Sequence, residues 1–145
     1  MATPSAETRE LASDLVVYAA RLVRAVRRTH QLPAGFRILS VLDEQGALGI
    51  SQLAAADRSS QPSMSAAVNQ LVDQGLVDKQ PNPEDGRGSV VTLTPLGSRE
   101  LARVRRDNGD LVAARVARAG HTPEELATAV AVLRDALATD EKGTA

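Results

Sequence analysis

The chain has 145 residues, a net charge of −1 and no cysteine. This length suits one domain with helical extensions, the near-neutral charge confers no general attraction to nucleic acid, and the missing thiols exclude disulfides, thiolate metal sites, cysteine nucleophiles and thiol redox sensors. No apolar run approaches the ~20 residues that span a bilayer, and residues 1–10 are too polar for a secretory signal, so the expected location is cytoplasmic with no membrane partner.

From residue 8 to about residue 29 the spacing predicts a helix. Leu11, Leu15, Tyr18, Leu22 and Val26 recur at intervals of three and four and share one face. Arg21, Arg24, Arg27 and Arg28 fill mainly the other positions, as a solvated face does. Pro33 interrupts the pattern. A second helix is expected over 34–45, with Phe36, Leu39 and Leu42 inward and Gly46 as its terminator. Ser51 then reads as the N-cap of a short helix carrying Leu53 and Ala54. Arg58-Ser59-Ser60 forms a tight link. Ser60 caps a helix over 61–74 that tolerates Pro62 in its first turn and buries Met64, Val68, Leu71 and Val72.

The texture changes after Gly75. Residues 76–80 and 89–93 are short runs rich in valine and leucine, separated by a stretch with two prolines and two glycines, which predicts a hairpin with a long loop. Thr94-Pro95 is a strong helix start. That helix is expected to reach about residue 119, with Asn108-Gly109 as its weak point and Gly120 as its end. Thr122 and Glu125 have the spacing of a capping box, and Leu126, Val130, Leu133 and Leu137 form one stripe beyond it.

Two helices joined by a short turn are the unit that places its second helix in the major groove of DNA. On that second helix Gln61, Ser63, Ser65 and Asn69 lie away from Met64, Val68 and Leu71, and such hydroxyl and amide groups suit base edges. Taken alone, the same residues also read as an ordinary solvated face. The hairpin loop that follows contains Asp85-Gly86-Arg87. An arginine at such a tip suits a narrow minor groove, where negative potential is concentrated, and Asp85 is placed to fix the loop. The expected fold class is therefore mainly α with a small β-hairpin wing. It is a winged helix-turn-helix flanked by N- and C-terminal dimerisation helices, divided as 1–32, 33–94 and 95–145 within one continuous domain.

The run Gln61-Pro62-Ser63-Met64-Ser65-Ala66-Ala67-Val68-Asn69-Gln70-Leu71-Val72-Asp73-Gln74-Gly75-Leu76-Val77 closely resembles the MarR family of bacterial regulators. So do Asp85-Gly86-Arg87 and Leu93-Thr94-Pro95-Leu96-Gly97, at matching separations. The resemblance implies a winged helix that dimerises through its first and last helices, with 61–74 as recognition helix and Arg87 as the wing-tip contact. It also implies a small-molecule pocket between the DNA-binding and dimerisation parts. The residues expected to meet double-stranded DNA are Ser51, Gln61, Ser63, Met64, Ser65, Asn69, Asp85 and Arg87. Tyr18, Arg21 and Phe36 are the expected pocket residues, with core packing as the competing reading of Tyr18 and Phe36.

One departure matters. Where the family often carries arginine after the Ser or Thr matched by Ser65, this chain has Ala66. Charge points the same way. From residue 51 to 93 three bases (Arg58, Lys79, Arg87) face five acids (Asp57, Asp73, Asp78, Glu84, Asp85), a net of −2. Phosphate neutralisation supplies much of protein–DNA affinity, so each subunit is expected to bind modestly and two to act together. The outer helices carry more apolar surface than a winged helix covers, which predicts a two-fold homodimer. Its recognition helices would lie about 34 Å apart on a pseudo-palindromic operator.

The predicted function is a ligand-responsive transcription repressor with no cofactor and no metal. The rival reading is a winged-helix module that docks proteins. Catalysis is not expected, because neither His30 nor His121 stands near a carboxylate or serine at catalytic or ligand spacing in the sequence.

Overall fold

A computed structural model describes residues 2–32, 35–84, 86 and 88–141. Helix α1 (Ala6–Thr29) starts at Ser5, whose hydroxyl accepts the N–H of Thr8 at 3.1 Å. Val26 is its one buried residue, whereas Leu11, Tyr18 and Leu22 of the expected inward face are exposed, as are Val16, Val17 and Val23. Helix α2 (Phe36–Gln45) follows Gly35, which stands in the left-handed region at φ 88°. A Cβ there would meet Leu71 Cδ2 at 2.6 Å, so conformation and space both call for glycine.

Strand β1 (Leu48–Gly49) was not expected; two residues, one of them glycine, leave no alternation to read. Helix α3 (Ile50–Asp57) begins one position before Ser51. Gly49 is the N-cap, and the amide oxygen of Gln52 accepts its N–H at 2.8 Å. Ser51 therefore lies inside the first turn, with its hydroxyl free for other partners.

Helix α4 (Gln61–Asp73) is capped by Ser60, which accepts the N–H of Ser63 at 3.2 Å. It buries Met64, Val68 and Leu71, while Val72 stays exposed. Strands β2 (Val77–Pro81) and β3 (Ser89–Leu93) pair antiparallel, Lys79 opposite Val91 and Pro81 opposite Ser89. Strand β1 adds to the other edge of β3, so the order is β1-β3-β2 and the expected hairpin is a three-stranded sheet.

Helix α5 (Pro95–Arg118) is tied down at its start. The Thr94 hydroxyl donates to Gly75 O at 2.6 Å and accepts the N–H of Gly97 at 3.0 Å, and Thr94 N–H donates to Leu76 O. A Cβ on Gly97 would lie 2.0 Å from Leu76 O, so no larger residue fits against this backbone. The helix runs through Asn108-Gly109 without interruption. Helix α6 (Pro123–Glu141) follows the turn at Gly120.

Two compact units result, residues 1–107 and 108–145, with the division inside α5. The first holds one apolar core. Ile38, Leu39 and Leu42 from α2, Leu53 and Ala54 from α3 and Met64, Val68 and Leu71 from α4 form most of it. Val77, Val91 and Leu101 close it from the strands and α5. Two ion pairs brace its surface, Arg37 to Asp57 at 3.1 Å between α2 and α3, and Arg105 to Asp43 at 2.7 Å between α5 and α2.

Candidate nucleic-acid interface

The packing of α3 and α4 decides which side chains face outward. Met64 and Val68 fix the inner face of α4, so Gln61 and Asn69 fall on the exposed side at helical spacing, with Ser63 exposed and Ser65 half-buried beside them. The two helices are joined outside the core by one side-chain bond. Gln61 Nε2 donates to Ser51 Oγ at 3.1 Å, holding the amide at the first position of α4 against the first turn of α3. Its carbonyl oxygen stays available as an acceptor. Ser63 accepts a hydrogen bond from the Ser60 hydroxyl at 2.9 Å, which leaves its own hydroxyl proton free to donate outward.

Asn69 Oδ1 accepts from Lys79 Nζ at 3.4 Å, a long contact between α4 and β2. Lys79 was not among the expected site residues. Strict alternation would put Lys79 on the face of Val77, yet β2 is exposed from Asp78 onward, so only the folded strand shows Lys79 reaching Asn69.

Met64 requires a correction. It was expected among the residues meeting DNA, but it is 2% exposed and belongs to the core. The helical spacing already set Met64 on the same face as Val68 and Leu71, and it is this inward placement, not the contact with DNA, that the packing realises. Asp85 and Arg87 lie outside the described residues. The loop that carries them is closed at its base by the Asn82 N–H to Gly88 O bond at 2.9 Å, and the Asn82 side chain accepts the N–H of Glu84 at 3.0 Å.

The three expected pocket residues do not come together. Tyr18 is 62% exposed on α1, with the Arg21 guanidinium 5.5 Å from its ring centre. Phe36 instead lines a separate open cleft of about 570 Å³ with Arg27, Gln31, Leu32, Gly35 and Arg37. Two of these cationic or amide side chains, Arg27 and Gln31, come from the end of α1 and the loop after it, which periodicity alone does not connect to Phe36.

His121 also differs from expectation. Its Nδ1 lies 2.5 Å from a Glu125 carboxylate oxygen, one helical turn away. The His121 ring and the backbone N–H of Thr122 hold the Glu125 carboxyl below the usual carboxylate range. The Thr122 hydroxyl accepts the N–H of Glu125 at 3.2 Å, so the pair closes the start of α6 and is exposed. Among the described residues no group of three or more His, Cys, Asp or Glu side chains is placed to hold a metal, and no helix is long and apolar enough to cross a membrane.

A helix-turn-helix backed by a three-stranded sheet, with its second helix outward and a loop beyond it, defines a winged helix-turn-helix protein. The MarR family model matches residues 33–89. An HTH-type transcriptional regulator of Mycobacterium bovis is 33% identical over 131 residues, covering 88% of this chain and 92% of that protein. A regulator of Mycobacterium leprae is 37% identical over 100 residues, covering 66% of this chain and 70% of its own. A mutant MarR from Escherichia coli, crystallised with operator DNA, is 21% identical with a TM-score of 0.55, over 91% of this chain and 94% of that one. The chain belongs to the MarR family. It is thus a transcription regulator and not an enzyme.

Proposed function

We propose that the protein is a homodimeric repressor that reads a pseudo-palindromic operator through α4 in the major groove and the β2–β3 loop in the minor groove. The observation that carries this is the Ser51–Gln61 bond. An amide braced at the first position of an outward helix, with Ser63 and Asn69 along the same side, is preorganised to read a base edge. Bracing also lowers the entropy lost when the contact forms.

Two apolar surfaces support the dimer. On α1, Leu11, Val16, Val17, Tyr18, Leu22 and Val23 are exposed. On α6, Val130, Leu133 and Leu137 line a groove of about 500 Å³ with Arg134 and Ala138. Faces of this kind are buried most simply by a second copy. The cleft at Phe36 fits a small effector with an anionic group and an apolar body, since Arg27 and Arg37 flank an aromatic ring. An effector seated there touches the first turn of α2, whose Arg37 also holds Asp57 at the end of α3.

The test is fluorescence anisotropy with duplex DNA from upstream of the protein's own coding region, at two salt concentrations. Wild type is expected to bind and to weaken with salt, and Arg87→Ala to lose about 1–3 kcal/mol. Binding no tighter than to random duplex, even at low salt, would favour the protein-docking reading that the net charge of −2 over residues 51–93 and Ala66 leave open.

A further inference from the structure

We propose that Arg58 grips a DNA phosphate and supplies the cation that the recognition helix lacks at Ala66. This rests on the DNA-binding reading above and adds to it a residue that neither sequence spacing nor the family resemblance singled out as a contact.

Arg58 is the one non-glycine residue with positive φ among the described residues, at φ 54° and ψ 39°. It is the C-cap of α3, and its N–H closes the helix on Ala54 O and Ala55 O. That role belongs to the backbone alone. Glycine fills it without penalty and a side chain there is disfavoured, so the arginine works against the turn it occupies. Nor does it gain packing, because Arg58 is exposed. Among the described residues no carboxylate lies within ion-pair distance of it. The adjacent acid, Asp57, is drawn off to Arg37 on α2 at 3.1 Å, so the nearest negative charge is already matched. A strained residue with neither packing nor a partner points to a role outside the folded chain.

Its position says which role. Arg58 stands two residues before Ser60, the N-cap of α4, and three before Gln61. Of the three bases in residues 51–93, Lys79 leans on Asn69 at 3.4 Å and Arg87 belongs to the β2–β3 loop. That leaves Arg58 as the base nearest in sequence to the start of the recognition helix. A guanidinium meets a phosphate through two parallel N–H donors, and the first turn of α4 offers its own free N–H groups to the same backbone. The contact carries no sequence information, so it should strengthen binding to every duplex alike.

The test compares wild type with Arg58→Gly, Arg58→Asn and Arg58→Lys. Each is titrated by anisotropy against the upstream duplex and a random-sequence duplex over a salt series, with melting temperatures recorded in parallel. Arg58→Gly is expected to melt at or above the wild-type temperature while binding both duplexes about tenfold more weakly. Its slope of log affinity against log salt should fall by about 2, one phosphate in each subunit of the dimer. Arg58→Asn, which also accepts the left-handed conformation, should match it in binding, and Arg58→Lys should restore the salt slope but only part of the affinity, because an ammonium keeps the charge and lacks the paired donors. Wild-type affinity and slope in Arg58→Gly would overturn the proposal, as would a loss confined to the upstream duplex. If wild type itself binds neither duplex, the DNA-binding reading falls and Arg58 with it; if wild type binds and Arg58→Gly is unchanged, only this proposal falls.

Discussion

The winged-helix core and the outer helices treat their apolar residues in opposite ways. From α2 to the first half of α5, leucines and valines at positions such as 39, 53, 68, 71, 91 and 101 are almost fully buried in one cluster. On α1 only Val26 is buried, and α6 buries none of its described residues. Leu137 is 69% exposed and Val16 equally so, although both sit on helices with well-formed starts. The first region needs nothing further to satisfy its side chains. The second is locally regular but leaves its stripes uncovered, as a subunit does before it meets its copy. The same sequence therefore holds a self-sufficient winged-helix core and apolar stripes on α1 and α6 that it leaves exposed.

This contrast can be broken most forcefully at α6. Leu133→Asp together with Leu137→Asp should leave the far-ultraviolet circular dichroism of the winged helix in place and convert a dimer to a monomer in sedimentation. Two leucines in each of two subunits amount to about 6 kcal/mol or more of lost burial. A dimer that survives this change would place the interface elsewhere. The core should answer in the other way. Leu53→Ala, at a fully buried site, is expected to cost about 2–5 kcal/mol in denaturant unfolding, with subunit stoichiometry unchanged at temperatures where the chain stays folded.

The outward face of α4 should separate from both. Gln61→Ala is expected to weaken specific DNA binding by about 1–3 kcal/mol with almost no change in melting temperature, because the residue is exposed and bonded to Ser51 alone. A stability loss as large as the binding loss would make the Ser51–Gln61 bond a structural clasp and no more.

The smallest effect lies at the start of α6. Thr122→Ala should lower stability by about 0.5–2 kcal/mol, seen in the melting temperature. The paired Glu125 has a carboxyl below its ordinary range, so its contribution is present above the unfolded carboxylate range and is lost as pH falls through the lowered folded value. Glu125→Gln should therefore flatten the acid limb of the melting curve against pH; an unchanged acid limb would remove the pair from the account.

Much of the fold was legible because it rests on local chemistry. Ser60 before Pro62, Thr94 before Pro95 and Thr122 before Glu125 mark helix starts by the groups that satisfy free N–H donors, and each stands where it was expected. What was not legible depends on distance. Strand β1 exists through pairing with Val90 and Val91 some forty residues on, which no window around Leu48 reveals. Gly97 looks like an ordinary helical glycine until Leu76 O is found against it. Phe36 lines one cleft with Arg27 and Gln31, which the periodicity of either helix alone does not reveal. On α4, spacing identified Gln61 and Asn69 on one side and Met64 on the other, but the reach of Lys79 to Asn69 is a consequence of strand register.

The most direct test of a dimer that reads DNA is to incubate the purified protein with fragments spanning its source genome and sequence those retained. Enrichment of a two-fold related pair of half-sites, with centres one helical turn or about 34 Å apart, is the predicted result. No enrichment over input, or enrichment of a motif with no two-fold relation, would contradict it.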